Sequence, residues 1–241
     1  MHYSTPSSLI LEAPRLPEPR GVHPIERAPE SLPPLRSLWA SLSCRRGYDI
    51  RPARTPKQHG LTNSLVRRMY AWRGYRTEAH RQPLDDPDRV TLAAWLYDEV
   101  VATLTLRRDS PNGLLADAHY ADVLEGLRRP ERVVCEVSRL AVDPDFSSRD
   151  LLSNLFSAAL DYGREHYSAS DAVMEVNPRH VRYYQRCLGF RQLGEVRQCL
   201  RVDAPAVLLH QEIDGITIPD EVSPPVERSG DGDKPAALIY T

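Results

Sequence analysis

Between Ala172 and Phe190 the chain passes from a strand signal to a helix signal with almost no residues between them, and that juncture limits the folds open to it. Ala172-Val173-Met174-Glu175-Val176 is a short apolar run suited to a buried strand. Asn177 stands in a capping position, Pro178 suits a first helical turn, and Gly189 suits the end of a helix over 179–188. A strand that turns at once into a helix points to a sheet layered against helices.

The rest of the central region repeats these signals. Strands are predicted at Tyr48–Arg51, Val90–Trp95, Val100–Leu106, Val133–Val142, about 190–201 and about 206–211. Tyr97-Asp98-Glu99 reads as a hairpin and Pro111-Asn112-Gly113 as a turn. Leu61, Leu65, Met69 and Trp72 recur at helical spacing over 60–74, with Thr62 near the helix start. A short helix fits 118–128. Ser147-Ser148-Arg149-Asp150 reads as a capping box before the stripe Leu151, Leu152, Leu155, Phe156, Ala159 and Tyr162. The order β-α-β-β-(α)-β-α-β-α-β-β predicts one α/β (α+β) domain over 47–212, without internal repeats.

The flanks read differently. Eight of the 21 prolines fall within residues 1–34, so 1–46 is expected to be a largely disordered arm. Residues 213–241, with Pro219, Pro224-Pro225 and Ser229-Gly230-Asp231-Gly232-Asp233, are expected to be a flexible tail. Composition narrows the function classes. With 31 basic and 33 acidic residues the net charge is −2, which argues against a globally basic nucleic-acid binder. No apolar run is long enough for a spanning helix, and the first residues lack a signal-peptide pattern, so a cytoplasmic setting is expected. The spacings of Cys44, Cys135, Cys187 and Cys199 match no zinc pattern, and buried or free thiols in a reducing setting are expected.

Two blocks carry a resemblance. Met174–Phe190, a strand ending in Asn, then a helix with Tyr184 seven residues after Asn177 and a Gly-Phe stop, resembles the last block of the GNAT acyltransferase superfamily. Val134-Cys135-Glu136-Val137-Ser138-Arg139-Leu140-Ala141-Val142-Asp143-Pro144, with its Glu-x-Ser-Arg, is similar to a strand of acyl-homoserine-lactone synthases and N-acyl amino acid synthases. Both of those branches take the acyl group from acyl carrier protein. With Asn-Pro-Arg-His at 177–180 and Ala204-Pro205-Ala206, residues 48–212 most resemble the N-acyl amino acid synthases of the FeeM type. The resemblance implies a single GNAT-like domain with a central mixed, mostly antiparallel sheet and helices on both faces. Two central parallel strands would splay apart and hold a thioester arm in the gap. The implied reaction moves a long-chain fatty acyl group from acyl carrier protein to the amine of an amino acid, with no metal or redox cofactor.

Departures from the pattern bear on the donor. The coenzyme A branch carries a glycine-rich turn after this strand, where bare amides bind pyrophosphate. Here Asp145-Phe146-Ser147-Ser148-Arg149-Asp150 contains no glycine, which favours a carrier protein over coenzyme A. Ala102 and Thr105 stand where a Gly and an Arg are common. Six arginines over 179–201 (Arg179, Arg182, Arg186, Arg191, Arg197, Arg201) face one acid, Glu195, and such a patch would steer an acidic carrier.

Transfer to an amine needs a base, an oxyanion site and an acid for the leaving thiolate. Glu136 is the first candidate base and His180 the second. Backbone amides at Leu140, Ala141 and Val142 would bind the oxyanion, and Tyr184, with Tyr183 as its alternative, would protonate sulfur. Arg139 would anchor the acceptor carboxylate or the pantetheine arm. The resemblance adds Ser138, Asn177, Arg179, Arg68, Tyr70, Asp85 and Asp88 as substrate contacts. Several have a plainer alternative: Glu136 and Arg139 paired with each other, His180 bonded to backbone, Tyr184 and Tyr70 as core, Arg68 as a surface charge, Asp85 and Asp88 as loop caps. Competing functions are an acyl-homoserine-lactone synthase, a coenzyme A-dependent acetyltransferase, and a silent binding module of the same fold.

Overall fold

The computed structural model describes residues 48–76 and 85–216, and the backbone of 239–240. The arm read over 1–46 lies outside the described residues. Strand β1 (Asp49–Pro52) is followed by α1 (Pro56–Trp72), β2 (Arg89–Leu96), β3 (Glu99–Arg108) and α2 (Asp117–Leu124). Then come β4 (Val134–Val142), α3 (Arg149–Tyr167), β5 (Asp171–Val176) and α4 (Val181–Leu188). The last strands are β6 (Arg191–Gln192), β7 (Arg197–Cys199), β8 (Ala204–Glu212) and β9 (Ile239–Tyr240). One sheet runs β1-β2-β3-β4-β5-β8-β6, with β7 on β8 and β9 on β5. The β4–β5 pair is parallel and the other described pairs are antiparallel.

Local chemistry sets the element ends. Helix α1 starts earlier than the apolar spacing suggests. Thr55 accepts from the Gln58 amide while the Gln58 side chain accepts from the Thr55 amide, and Pro56 fills the first turn. Thr62, expected near the start, lies inside the helix with its hydroxyl on the His59 carbonyl. The cap of α3 is Ser148, whose hydroxyl accepts from Leu151, so the reciprocal box read from Ser147 to Asp150 does not form. Gly189 ends α4 at a φ of +73°, as its position predicts. The long strand expected over 190–201 is interrupted into β6 and β7.

Alternation along the strands sorts the core into two layers. Ala172, Met174 and Val176 of β5 pack with Leu151, Leu155 and Phe156 of α3 and Tyr184 and Leu188 of α4. Val173, between them, points the other way and packs with Tyr120 and Leu124 of α2. Helix α1 covers the same side through Leu65, Val66, Met69 and Tyr70, against Ala141 of β4. Helices therefore flank both faces. The stretch read as a tail from 213 is partly built into the domain: Ile213 and Ile216 are buried in the main core, and β9 joins the sheet.

Candidate active site

Strands β4 and β5 pair over only three residues, Val134↔Asp171, Cys135↔Ala172 and Glu136↔Val173. Beyond Glu136 both strands continue but with other partners. β5 follows β8 to Val176↔Val207, and β4 follows β3 to Val142↔Ala102. The parting coincides with a bulge in β4. Its register against β3 shifts between Ala141↔Thr103 and Ser138↔Thr105. Arg139 within that shift takes a φ of +54°, a left-handed backbone that a bulky non-glycine residue adopts only where its surroundings impose it. Asp143 donates its amide to Val101 of β3. Strand alternation then turns the Ala141 amide toward β3 and the Val142 amide into the gap. Of the three oxyanion amides expected, Val142 has the required direction, while Leu140 lies in the bulge with its side chain in the core.

Glu136 stands at the floor of the gap on the α1/α2 face and is fully buried. Its carboxylate accepts the amides of Leu115 (2.6 Å) and Ala116 (3.0 Å) at the start of α2. Burial pushes its pKa up to about 8, and the charge of Glu175 adds to this, against the lowering from those amides and from Arg201. A carboxyl in that range can take a proton near neutral pH. The plainer pairing with Arg139 is not made. The half-buried Arg139 guanidinium donates to Asn63 of α1 instead. Burial lowers its pKa, and the nearby Tyr70 hydroxyl works in the opposite direction.

Glu175 was not singled out by the sequence pattern and proves to be part of this cluster. It is buried on β5 and pairs with Arg201, while burial raises its pKa. Arg201 also donates to the Leu115 carbonyl at 2.7 Å. His119 Nδ1 lies 3.7 Å from the Glu175 carboxylate. The signal available was a charged residue within a continuous apolar strand, a placement that is rare unless the charge is paired. His119, Glu175 and Cys199 bring three potential metal-ligand atoms within 4.8 Å of one another. The imidazole argues against a metal there: its Nε2 accepts from the Leu200 amide, so Nδ1 carries the proton. Metallation at Nδ1 would move that proton to Nε2, facing another N–H.

On the opposite side of the gap, Tyr184 is fully buried and its hydroxyl has no partner among the described residues. Burial raises its pKa well above the usual phenol value, and the hydroxyls of Tyr183 and Tyr70 add to this. It is protonated throughout the neutral range. Tyr183 is only partly buried and meets Tyr184 edge-on at 5.1 Å. His180 is buried after β5, where its Nε2 accepts from Arg179 at 3.2 Å. The ring's basic nitrogen is thus occupied by a cation, which weakens its case as a base. Arg179 also reaches the Tyr75 hydroxyl at 2.7 Å. Asn177 caps the turn through the Arg179 amide. The Ser138 hydroxyl donates to the Thr105 carbonyl inside the sheet.

Several expected contacts are structural or distant. Arg68 of α1 pairs with Asp143 at 2.6 Å, tying the helix to the end of β4. Tyr70 is core, edge-on to Tyr75. Asp88 binds Arg108, whose register partner is Cys135 at the closed end of the β4–β5 pair, and Asp85 is exposed in the same turn. The structure does not bring Asp85 or Asp88 to the gap. Arg201 turns inward and Arg197 pairs with Asp122, so the expected basic patch shrinks. Arg182, Arg186 and Arg191 are exposed without an ion-pair partner among the described residues.

A narrow apolar cavity lies on the α3/α4 face, beyond Val137 of β4. Leu106, Phe156, Ala159, Gly163 and Ala172 are among the residues that line it. The gap therefore has a polar, titratable cluster on one side and an apolar recess on the other.

Comparisons with known proteins fit this geometry. The family model described as N-acyl amino acid synthase FeeM matches residues 62–212. Comparison of the sequence with curated proteins gave no match. Among solved structures, FeeM, an N-acyl amino acid synthase from uncultured soil microbes, superposes with a TM-score of 0.65 at 24% identity. That match covers 69% of this chain and 92% of the other. Escherichia coli ElaA superposes with a TM-score of 0.51 at 15% identity, covering 68% of this chain and 99% of its own. The AHL synthase LasI gives 0.51 at 14% identity, covering 69% and 91%.

Proposed function

This chain belongs to the FeeM family of N-acyl amino acid synthases, and from that premise we propose how it carries out transfer of an acyl group to an amine. The donor is a fatty acyl group on the phosphopantetheine of acyl carrier protein, and the acceptor is the amine of an amino acid. The observation that carries this reading is the β4–β5 gap, with the buried Glu136 carboxylate on one face and the unpartnered Tyr184 hydroxyl on the other.

The thioester arm lies in the gap between the splayed strands, where β5 no longer pairs with β4. The acyl chain extends to the α3/α4 face, into the apolar recess beside Ala159 and Gly163. The acceptor approaches from the α1/α2 face. Glu136 takes the amine proton, directly or through one water, as nitrogen bonds to the thioester carbon. The carbonyl oxygen gains charge and is met by the Val142 amide. The carbon–sulfur bond breaks and the leaving thiolate takes the Tyr184 proton. Exchange with solvent then returns both side chains to their starting forms. No metal or redox cofactor has a step in this scheme.

The turn before α3 supports a carrier protein as donor. The amides of Phe146, Ser147, Leu151 and Leu152 are already bonded within the turn. Asp143, Asp145 and Asp150 stand around that helix start. A pyrophosphate would meet bonded amides and the exposed carboxylates of Asp145 and Asp150, with Asp143 already paired to Arg68, whereas phosphopantetheine on a carrier lacks that group. Arg182 and Arg186, one helical turn apart and exposed on α4, offer an anchor for an acidic carrier.

The test is a thiol-release assay of purified protein with dodecanoyl-acyl carrier protein, dodecanoyl-coenzyme A and a set of amino acids. Thiol release that requires both the carrier-bound donor and an amino acid supports the reading. Faster turnover with coenzyme A would overturn the donor assignment. Release unaffected by any amino acid would overturn the acceptor.

A further inference from the structure

β5 pairs with β8 along one edge over its whole length, but its other edge changes partner. β4 occupies that edge at Asp171, Ala172 and Val173 and then departs. β9 takes over where β4 leaves, with Tyr240 opposite Glu175 and Ile239 opposite Val176. β9 also lies alongside β4. The backbone of this chain thus fills the gap that, on the function proposed above, receives the donor arm. The edge has reason to attract a strand. Its unpaired N–H and C=O groups form a template for an extended segment. The run Ala236-Ala237-Leu238-Ile239-Tyr240 is uncharged and proline-free, and its last residues favour strands.

We propose that the β4–β5 gap is a strand-docking site whose resident is this chain's own 239–240 segment, which acyl donors must displace. Reach does not limit the contact. The 22 residues of 217–238 span far more than a domain radius when extended. A tethered strand competes at an effective concentration in the millimolar range, so even a weak contact keeps the gap filled. If the segment occupies the gap nine-tenths of the time, the donor's apparent Kd rises about tenfold. The inference rests on the acyltransferase reading for its consequence, but the docking itself does not.

The experiment compares the full chain with one ending at Pro235, and it has two arms. In hydrogen exchange, the full chain should protect the amide of Glu175, which faces the β9 edge, while the Val176 amide faces β8 and serves as the control. The shortened chain should lose that protection by about tenfold or more and regain it when a peptide of sequence AALIYT is added in millimolar amounts. In kinetics with dodecanoyl-pantetheine as donor, the shortened chain should show a KM about tenfold lower at unchanged kcat, and the peptide should compete with the donor. Equal protection in both chains overturns the docking, as does protection of the full chain that depends on its concentration, which would assign the strand to a second copy. Loss of protection with no change in KM overturns the competition with donor. Exchange results as expected in a protein without turnover would leave the docking standing and count against the acyltransferase reading alone.

Discussion

Glu136 and Glu175 are two buried carboxylates on neighbouring parallel strands, with Glu175 raising the proton affinity of Glu136. Arg201 pairs with Glu175 and lowers the proton affinity of Glu136 as well. One cation facing two carboxylates is a setting in which one of the carboxylates holds a proton near neutral pH.

This coupling predicts the pH dependence of the rate. The base acts when deprotonated, so kcat/KM should rise with pH along a limb centred near 8. Glu175→Gln removes the like charge and should move that limb down by about one unit. Measuring kcat/KM across pH for both proteins decides this. A limb that stays in place would remove Glu175 from the account.

Stability should follow pH with the opposite sign. The folded-state pKa of Glu136 is raised from 4.5 to about 8. The favourable contribution of the neutral carboxyl is therefore full below the lower value and lost as pH rises through the higher one. Glu136→Gln should flatten this slope. Urea midpoints taken at about pH 5 and about pH 9 should fall for the native chain and change less for the variant.

Arg201→Met leaves Glu175 buried without its cation, and should cost about 3 kcal/mol or more. The double variant Arg201→Met, Glu175→Met should recover most of that loss, because no lone charge remains. Urea denaturation of the two variants is the check. Equal instability in both would mean that the pair matters through packing rather than charge.

Tyr184→Phe separates chemistry from stability. The hydroxyl is buried without a partner among the described residues, so removing it should leave stability unchanged or raise it slightly. Loss of the acid should lower kcat by about 100-fold. A folded variant with full kcat would transfer the role to Tyr183 or to solvent.

The apolar recess should set chain length. Ala159→Phe fills it next to Phe156 and Gly163. Each methylene denied burial is worth about 0.8 kcal/mol, or about fourfold in kcat/KM. A series of acyl chain lengths should therefore show the preference shifting to shorter donors. An unchanged profile would place the chain elsewhere.

Much of the sheet and helix order was legible because periodic apolar residues and caps are local signals. Ser148, Asn177 and Gly189 mark ends through bonds to residues no more than a few positions away. The start of α1 was misplaced because Thr55-Pro56-Lys57-Gln58 precedes the apolar stripe, and its reciprocal bonds hold the helix before burial begins. The Glu136 and Tyr184 positions were visible as motif residues, but their environments were not. The α2 amides that bind Glu136 come from Leu115 and Ala116, 21 and 20 residues away in sequence. Glu175 and Arg201 are 26 residues apart, and in sequence Arg201 reads as one of a run of surface arginines. The backbone of Ile239 and Tyr240 returns to the sheet from a stretch whose composition reads as tail. Such contacts depend on tertiary approach, which no local pattern encodes.

On the function proposed, the β4–β5 gap transfers an acyl group to an amino acid with Glu136 as base. Mass spectrometry of lipid extracts from cells expressing the native chain, beside cells expressing Glu136→Gln, tests it most directly. A new fatty-acyl amino acid is expected with the native chain, and its loss with a variant shown to be folded. The same acyl amino acid at equal abundance from both would contradict the role of Glu136. No new acylated amine from a folded native chain would contradict the transfer itself.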